Sequence, residues 1–232
     1  MKILAIIPAR SGSKGVVDKN ISLLLGRPLL EYTCLAAKKS KLIEKVIISS
    51  DSHEYGKIAI NCGVEAPFLR PKSLSGDTIP MLPVLRHVII ELENVNNYRP
   101  DCVILLPPTS PLRTEKHIDQ AIKLYLSESV DALVSVVEVP HNMTPESLMI
   151  KSGIRLELFN KEKAKFRRQE KKKYYARNGP AILILKTKYL LGCENFYEGN
   201  VIPYVMNHNE SIDIDSKKDF LEAEKIMEFN NN

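Results

Sequence analysis

The chain has 232 residues, a formal net charge of +5 and four cysteines. This length predicts one domain with a core that needs no disulfides, and the mild basic excess suits an anionic small molecule as well as nucleic acid. No apolar run reaches the about 18 residues of a membrane helix or the form of a signal peptide, which favours a soluble cytoplasmic protein.

Apolar runs of strand length alternate with helical patterns over the first 140 residues. We expect strands at residues 3–7, 46–48, 64–69, 103–106 and 132–137, and helices from residue 28, at 79–95, at 114–126 and at 217–229. This alternation predicts an α/β fold, in which a Rossmann-like, mostly parallel sheet carries helices on both faces.

Three polar segments directly follow predicted strands. They are PARSGSKG (residues 8–15), SSD (49–51) and PPTSPLR (107–113). Ligands of open α/β sheets bind beyond the carboxyl ends of the strands. We therefore expect these segments to share one edge of the sheet.

The first segment is rich in glycine, hydroxyl groups and cations. Its glycines permit backbone conformations in which amide N–H groups converge on an anion, which predicts a triphosphate site rather than an ordinary surface turn. Neither the Walker A nor the dinucleotide glycine pattern is present. The candidate contacts are Arg10, Ser11, Gly12, Ser13, Lys14, Lys19 and Asn20.

Two aspartates alternate with isoleucines in SIDID, residues 211–215. On a strand, this spacing puts Asp213 and Asp215 on one face. Their hard oxygen atoms suit Mg²⁺, which also accepts phosphate oxygens as ligands. The alternative is a solvated strand edge.

The proline-rich segment stiffens the connection after its strand. Thr109, Ser110 and Arg113 then become preorganised polar groups that line a ligand, although a generic strand-to-helix connection is the alternative.

A basic stretch, residues 161–173, carries eight lysines or arginines. It falls in an expected inserted arm at about residues 140–180 of the otherwise single domain. Most of these charges fit a solvated segment, but Arg167, Arg168 and Gln169 together suit a carboxylate or phosphate. Few aromatic residues accompany them, so nucleic-acid binding is disfavoured.

Seven motifs in order resemble the CMP-sialic acid synthetases, also called acylneuraminate cytidylyltransferases. They are LAIIPARSGSKG followed by DKN, ISSD, FLRP, PTSPLR, RRQ, NGPAILI and SIDID. The resemblance runs from residue 3 to about residue 226. It implies a Mg²⁺-assisted enzyme that joins CTP to a nine-carbon α-keto acid sugar and releases pyrophosphate, with a small lobe that forms a homodimer.

The resemblance also assigns roles to residues at matching positions. The nucleotide set is Arg10, Ser13, Lys14, Lys19 and Asn20, with Arg70 reading cytosine. The sugar set is Thr109, Ser110, Arg113, Arg168 and Gln169, and the metal pair is Asp213 and Asp215. Arg10, Lys19 and Asp213 are expected to be the catalytic residues, acting through alignment and charge neutralisation as the sugar hydroxyl attacks the α-phosphorus.

The chain departs from the family pattern at two places. Pro107 stands where the sialic acid enzymes commonly have glutamine, which favours a related nonulosonate of the legionaminic or pseudaminic type. Ala176 replaces an arginine, and Arg177 follows it. Three alternatives remain: a nucleotidyltransferase with another acceptor, a non-catalytic nucleotide-binding protein, and an RNA-binding module.

Overall fold

The computed structural model describes residues 1–13, 15–160 and 172–231 of the chain. The strands are β1 (Ile3–Pro8), β2 (Leu23–Leu24), β3 (Arg27–Pro28), β4 (Lys45–Ser49), β5 (Cys102–Leu105), β6 (Ala132–Glu138), β7 (Met149–Ser152), β8 (Arg155–Leu158), β9 (Tyr175–Arg177), β10 (Leu183–Lys186) and β11 (Val201–Val205). The α-helices are α1 (Leu29–Lys39), α2 (His53–Asn61), α3 (Met81–Asn96), α4 (Glu115–Ser127), α5 (Thr187–Gly192) and α6 (Lys217–Asn231).

Most strands of the described chain join one mixed sheet. Its order is β11-β6-β10-β5-β1-β4, and β9 also pairs with β6. The pairs of β1 with β4 and β5 are parallel, as is that of β11 with β6, whereas β9 and β10 run antiparallel to their neighbours. The strands β1, β4, β5 and β6 therefore point their carboxyl ends to the same edge.

Helices cover both faces of this sheet. Ile3, Ala5 and Ile7 of β1 pack in a cluster with α1, α2 and α4, while Leu4 and Ile6 pack on the other face with α3. All five side chains are buried, as expected for a strand between two layers of helices. The predicted α/β fold with a mostly parallel sheet is confirmed.

Two predicted strands are not strands in the structure. Residues 64–69 contribute a single bridge, between Glu65 and Ile47, because Pro67 lacks the N–H that would extend the ladder. Residues 211–215 lie outside any ladder: the Ile214 N–H donates to Thr109, and the Asp215 N–H donates to the Asp219 carboxylate.

The region of the expected arm contains a separate hairpin formed by β7 and β8. Its apolar side chains are open to solvent: Ile150 is 51% exposed, Leu156 is 62% exposed and Ile154 is fully exposed. Most of the basic stretch, residues 161–171, lies outside the described residues. No helix within the described ranges combines the length and apolar character that crossing a membrane requires.

Candidate active site

A cleft of about 250 Å³ lies at the carboxyl edge of the sheet, between the loops that follow β1 and β5. Its lining combines predicted nucleotide contacts with apolar side chains: Pro8, Arg10, Ser13, Lys19, Asn20, Arg70, Leu74, Gly76, Asp77, Ile79, Met81, Val84, Pro107, Pro108 and Thr109. A larger cavity, of about 770 Å³, lies at the opposite edge near Met1 and Lys186. It contains none of the predicted site residues, so the smaller cleft is the candidate site.

The loop after β1 is shaped by its own side chains. The Ser13 hydroxyl donates to the Val16 carbonyl at 2.6 Å and accepts from the Lys19 N–H at 2.9 Å. The buried Asn20 amide donates to the Arg10 carbonyl at 3.0 Å. Through these hydrogen bonds, Ser13 and Asn20 fix the backbone that carries Arg10 and Lys19.

Two carboxylates accept hydrogen bonds from loop N–H groups that were predicted to bind a phosphate. Asp51 accepts from both the N–H and the hydroxyl of Ser11, at 2.8 and 2.9 Å. Asp18 accepts from the Gly12 N–H at 3.3 Å and from the Tyr55 hydroxyl at 3.1 Å. In this structure Ser11 and Gly12 therefore serve the architecture of the loop. The motifs that contain Asp18 and Asp51 gave no indication of this role.

Arg10 and Lys19 each form an ion pair at the cleft. The Arg10 guanidinium lies 2.5 Å from the Asp77 carboxylate, and both side chains remain a little under one-third exposed. Lys19 Nζ lies 2.9 Å from Asp215 and donates to the Ile214 carbonyl at 2.5 Å. Each cation is thus already oriented by an acid, and an anion entering the cleft meets preorganised positive charge.

The acidic segment at residues 211–216 touches the loop after β1 directly. A Cβ atom on Gly15 would lie 2.7 Å from the Asp215 carbonyl, so the two backbones pass too closely for any side chain. Ile214 is fully buried, and its N–H donates to the Thr109 carbonyl at 2.8 Å. Parts of the chain nearly 200 residues apart therefore converge on one cleft.

Asp213 lies in a more enclosed position than Asp215. Burial raises the pKa of Asp213, a hydrogen bond from Thr109 opposes that rise, and nearby Asp215 adds to it. Its carboxylate also packs 3.2 Å from the position of a Cβ on Gly179, whose φ of +113° suits only glycine. Asp215 is open to solvent, with 78% of its side chain exposed.

The donor set of this pair fits a hard divalent cation. Within the described parts of the chain, no cluster of three or more histidine, cysteine or acidic side chains has metal-binding geometry. Mg²⁺ commonly binds proteins through one or two carboxylates and takes its other ligands from water and substrate phosphates. Asp213 and Asp215, two carboxylates beside a cationic cleft, fit this mode of Mg²⁺ binding.

Arg70 is buried yet lines the cleft. Its Nε donates to the Ser49 hydroxyl at 3.0 Å, and its Nη2 donates to the Ser49 carbonyl at 2.5 Å. Burial lowers the pKa of Arg70 to about 10, which leaves the guanidinium charged at neutral pH. A desolvated and fixed cation of this kind is suited to reading a planar acceptor group.

The segment PPTSPLR divides between the cleft and the interior. Thr109 lines the cleft, as predicted for a ligand contact. The expectation for Ser110 and Arg113 is corrected, because both side chains are almost completely buried and neither lines the cleft. The Arg113 guanidinium donates to the carbonyls of Pro107 and Ala181 and to the Thr33 hydroxyl, so it braces the turn from behind.

Three predicted contacts cannot be placed. Lys14, Arg168 and Gln169 lie outside the described residues, so their roles stay predictions. Arg177, considered as a replacement for an absent family arginine, has its guanidinium 4.7 Å from the centre of the Tyr197 ring.

Asn178 holds the acidic segment against the sheet, a role that was not predicted from the sequence. Its buried amide accepts from the Ser135 hydroxyl at 2.6 Å and donates to the Ser211 hydroxyl at 2.9 Å. It thereby ties β6 to the start of the acidic segment and precedes the glycine that packs on Asp213. The motif NGPAILI marked this position but gave no reason to expect a network.

Comparison with known proteins places the chain among cytidylyltransferases. Residues 4–231 match a family described as cytidylyltransferase. The chain is 35% identical to the N-acylneuraminate cytidylyltransferase of Escherichia coli O18:K1:H7, over 99% of this chain and 53% of that protein. It is 31% identical to the CMP-N,N'-diacetyllegionaminic acid synthase of Legionella pneumophila, over 99% and 98% of the two chains.

A third relative is the pseudaminic acid cytidylyltransferase of Campylobacter jejuni, which is 31% identical over 98% of this chain and 96% of that protein. The chain thus spans about half the length of the E. coli relative and nearly all of the other two.

Among solved structures, CMP:2-keto-3-deoxy-manno-octonic acid synthetase complexed with CTP superposes with a TM-score of 0.71 at 13% identity, covering 99% of this chain and all of that one. Identity this low supports the shared fold alone. The family match covers nearly the whole chain and agrees with the motifs read from the sequence. The chain belongs to the cytidylyltransferase family.

Proposed function

We propose that this protein transfers the cytidylyl group of CTP to a nine-carbon 3-deoxy-2-keto acid sugar, giving a CMP-sugar and pyrophosphate. The observation that carries the proposal is the convergence of the glycine-rich loop and the acidic segment on one cleft, through Gly15, Lys19 and Asp215. Family membership and the names of relatives that act on sialic, legionaminic and pseudaminic acids support the same reaction.

The nucleotide lies with its phosphates against Arg10 and Lys19 and its base toward Arg70. Cytosine presents two adjacent acceptors, O2 and N3, which match the parallel N–H groups of a guanidinium. Uracil carries a hydrogen on N3 and loses one of these bonds. Arg10 and Lys19 neutralise charge on the phosphate chain and hold the α-phosphorus in line for attack.

The sugar's anomeric hydroxyl attacks the α-phosphorus, its oxygen forms the new P–O bond, and the bond to the β-phosphate oxygen breaks. Pyrophosphate carries away that electron pair, and the hydroxyl proton passes to water. Asp213 and Asp215 would hold Mg²⁺, which supplies charge neutralisation at the phosphate oxygens when bound. Thr109 orients Asp213 through its hydroxyl and contributes to the sugar side of the cleft.

The acceptor is proposed to be a legionaminic- or pseudaminic-type acid. Pro107 lines the cleft where the sialic acid enzymes commonly have glutamine, and its carbonyl already accepts from Thr33 and Arg113. The position therefore presents an apolar ring to the ligand, which favours a less hydroxylated sugar.

The proposal includes a homodimer in the cytoplasm. The exposed apolar side chains of the β7–β8 hairpin offer a surface that a second copy would cover. All four cysteines are free thiols, which suits a reducing compartment. Sedimentation of the purified protein would measure the oligomeric state.

The activity is tested by measuring pyrophosphate release with CTP, UTP, GTP and ATP against a panel of sialic, legionaminic and pseudaminic acids in Mg²⁺. We expect turnover with CTP and at least one of these acids, and identification of the CMP-sugar by mass spectrometry. CTP binding without turnover on every acid would support the non-catalytic alternative. Turnover with a different nucleotide or acceptor would overturn the assigned reaction.

A further inference from the structure

The cations of the cleft differ in what holds them. Arg10 and Lys19 are paired with carboxylates that are themselves partly exposed. Arg70 is instead only 4% exposed and donates to two atoms of one neutral residue, Ser49. The hydrogen-bond acceptors of Arg70 are neutral, so its remaining N–H groups are left for a ligand, although nearby Asp51 acts on the guanidinium through its charge.

Ser49 is placed to fix the plane of that guanidinium. It is the last residue of β4 and is completely buried, so the parallel ladder with β1 determines where its hydroxyl and carbonyl lie. Because Nε and Nη2 are both bound to it, the Arg70 fork cannot rotate about its last bonds without breaking a hydrogen bond. The Arg70 N–H, donating to the Ser50 carbonyl at 2.7 Å, fixes the main chain as well.

A fixed fork distinguishes bases better than a mobile one. The donors that Ser49 leaves over, on Nη1 and the second hydrogen of Nη2, match the two adjacent acceptors of cytosine. A mobile guanidinium could shift to bond a single uracil oxygen and would recover part of the lost energy. Rejection of an analogue is strongest when the site's polar groups cannot adapt to it.

We propose that Ser49 is a positioning residue that sets the preference for cytosine by locking the Arg70 guanidinium. This inference rests on the proposed use of CTP. Ser49 contacts no substrate and acts only through Arg70.

The test compares Ser49→Ala with Ser50→Ala, using equilibrium binding of CTP and UTP by calorimetry and kcat/KM with each nucleotide. Ser50 is an adjacent buried serine whose hydroxyl accepts from the Ser52 N–H and does not contact Arg70. We expect Ser49→Ala to lower the ratio of CTP to UTP affinity about tenfold, because a hydrogen bond to a charged group is lost. The ratio for Ser50→Ala should stay within about twofold of the wild-type value.

Ser49→Cys covers the case in which the alanine variant does not fold, since a thiol fills the space but is a weak acceptor. It should lower the ratio in the same direction. An unchanged ratio in a folded Ser49 variant, with both nucleotides weakened equally, would show a purely structural role and overturn the inference. A wild-type protein that does not bind CTP would instead overturn the proposed function, so the two failures can be told apart.

Discussion

The loops after β1 and β5 leave neighbouring parallel strands at the same edge of the sheet, yet they use their arginines in opposite ways. Arg10 extends from the first loop into the cleft and pairs with a partly exposed acid. Arg113 ends the second polar segment, points into the interior and is 2% exposed. Both segments contain hydroxyl residues and a cation directly after an apolar strand, so the sequence pattern alone does not separate them.

The difference follows from the partners available behind each loop. Arg113 finds two carbonyl oxygens and a hydroxyl between α1 and the start of β10, which together offset part of the cost of burying its charge. Burial nevertheless lowers the pKa of Arg113 to about 9. Among the described residues, Arg10 donates to carbonyls of its own loop and pairs with Asp77. Arg113 thus faces neutral acceptors in the interior, whereas Arg10 stays partly exposed at the cleft.

The largest expected effect is on catalysis, at the first loop. Arg10→Ala should lower kcat/KM for CTP by about 10²–10³-fold, because a preorganised cation at the phosphates is lost. Its melting temperature should barely change, since a partly exposed ion pair contributes little to stability. Pyrophosphate release and thermal unfolding measure the two quantities, with the highly exposed Arg99→Ala as control. A large fall in melting temperature with normal kcat/KM would show that Arg10 has a structural role, as is proposed for Arg113.

Arg113→Met should show the opposite pattern. Removing the guanidinium leaves buried acceptors without donors, so the free energy of unfolding should fall by about 3 kcal/mol. Urea denaturation measures this loss. The folded variant should keep kcat/KM closer to the wild-type value than Arg10→Ala does. Loss of sugar affinity with unchanged stability would restore Arg113 as a ligand contact.

Gly15→Ala tests whether the first loop must touch the acidic segment. The added Cβ would lie 2.7 Å from the Asp215 carbonyl, so one backbone has to move. We expect about a tenfold loss of kcat, since small displacements of catalytic groups are costly. Gly192→Ala, which has open space around its Cβ position, is the control. Normal kcat in Gly15→Ala would mean that the contact is dispensable.

The smallest effect is expected from Asp77→Asn. The carboxylate competes with phosphate for Arg10, and a partly exposed ion pair of this kind is worth about 0.2–1 kcal/mol. Pyrophosphate affinity should therefore rise by about 1.4- to fivefold, more at low than at high ionic strength. Calorimetric titration at two salt concentrations measures it. Weaker binding would instead show that Asp77 helps to hold the ligand.

The sequence predicted the fold and the location of the cleft because both follow from strong patterns. Alternating apolar runs determine which strands are buried, and polar segments after them determine the edge where ligands bind. Pro67 shows the limit: residues 64–69 have an apolar strand pattern, but a missing N–H leaves only one bridge.

Whether a polar side chain faces the cleft or the interior depends on contacts with residues far away in the sequence. No local pattern reveals these contacts. Asp51 accepts from the Ser11 amide across 40 residues of the chain, and Asn178 links β6 to the acidic segment. The burial of Arg113 depends on a carbonyl from Ala181, 68 residues away. Local spacing predicted several residues that line the cleft but could not show which of them support the others.

The ion pair between Lys19 and Asp215 spans 196 residues of the chain. During translation the first loop leaves the ribosome long before its acidic partner has been made. The Gly15 backbone therefore has nothing to pack against until residue 215 has been added. An amino-terminal fragment that stops before residue 214 lacks both the Ile214 carbonyl and the Asp215 carboxylate that Lys19 contacts. The nascent protein therefore gains the contact between Lys19 and Asp215 only after the acidic segment has been made.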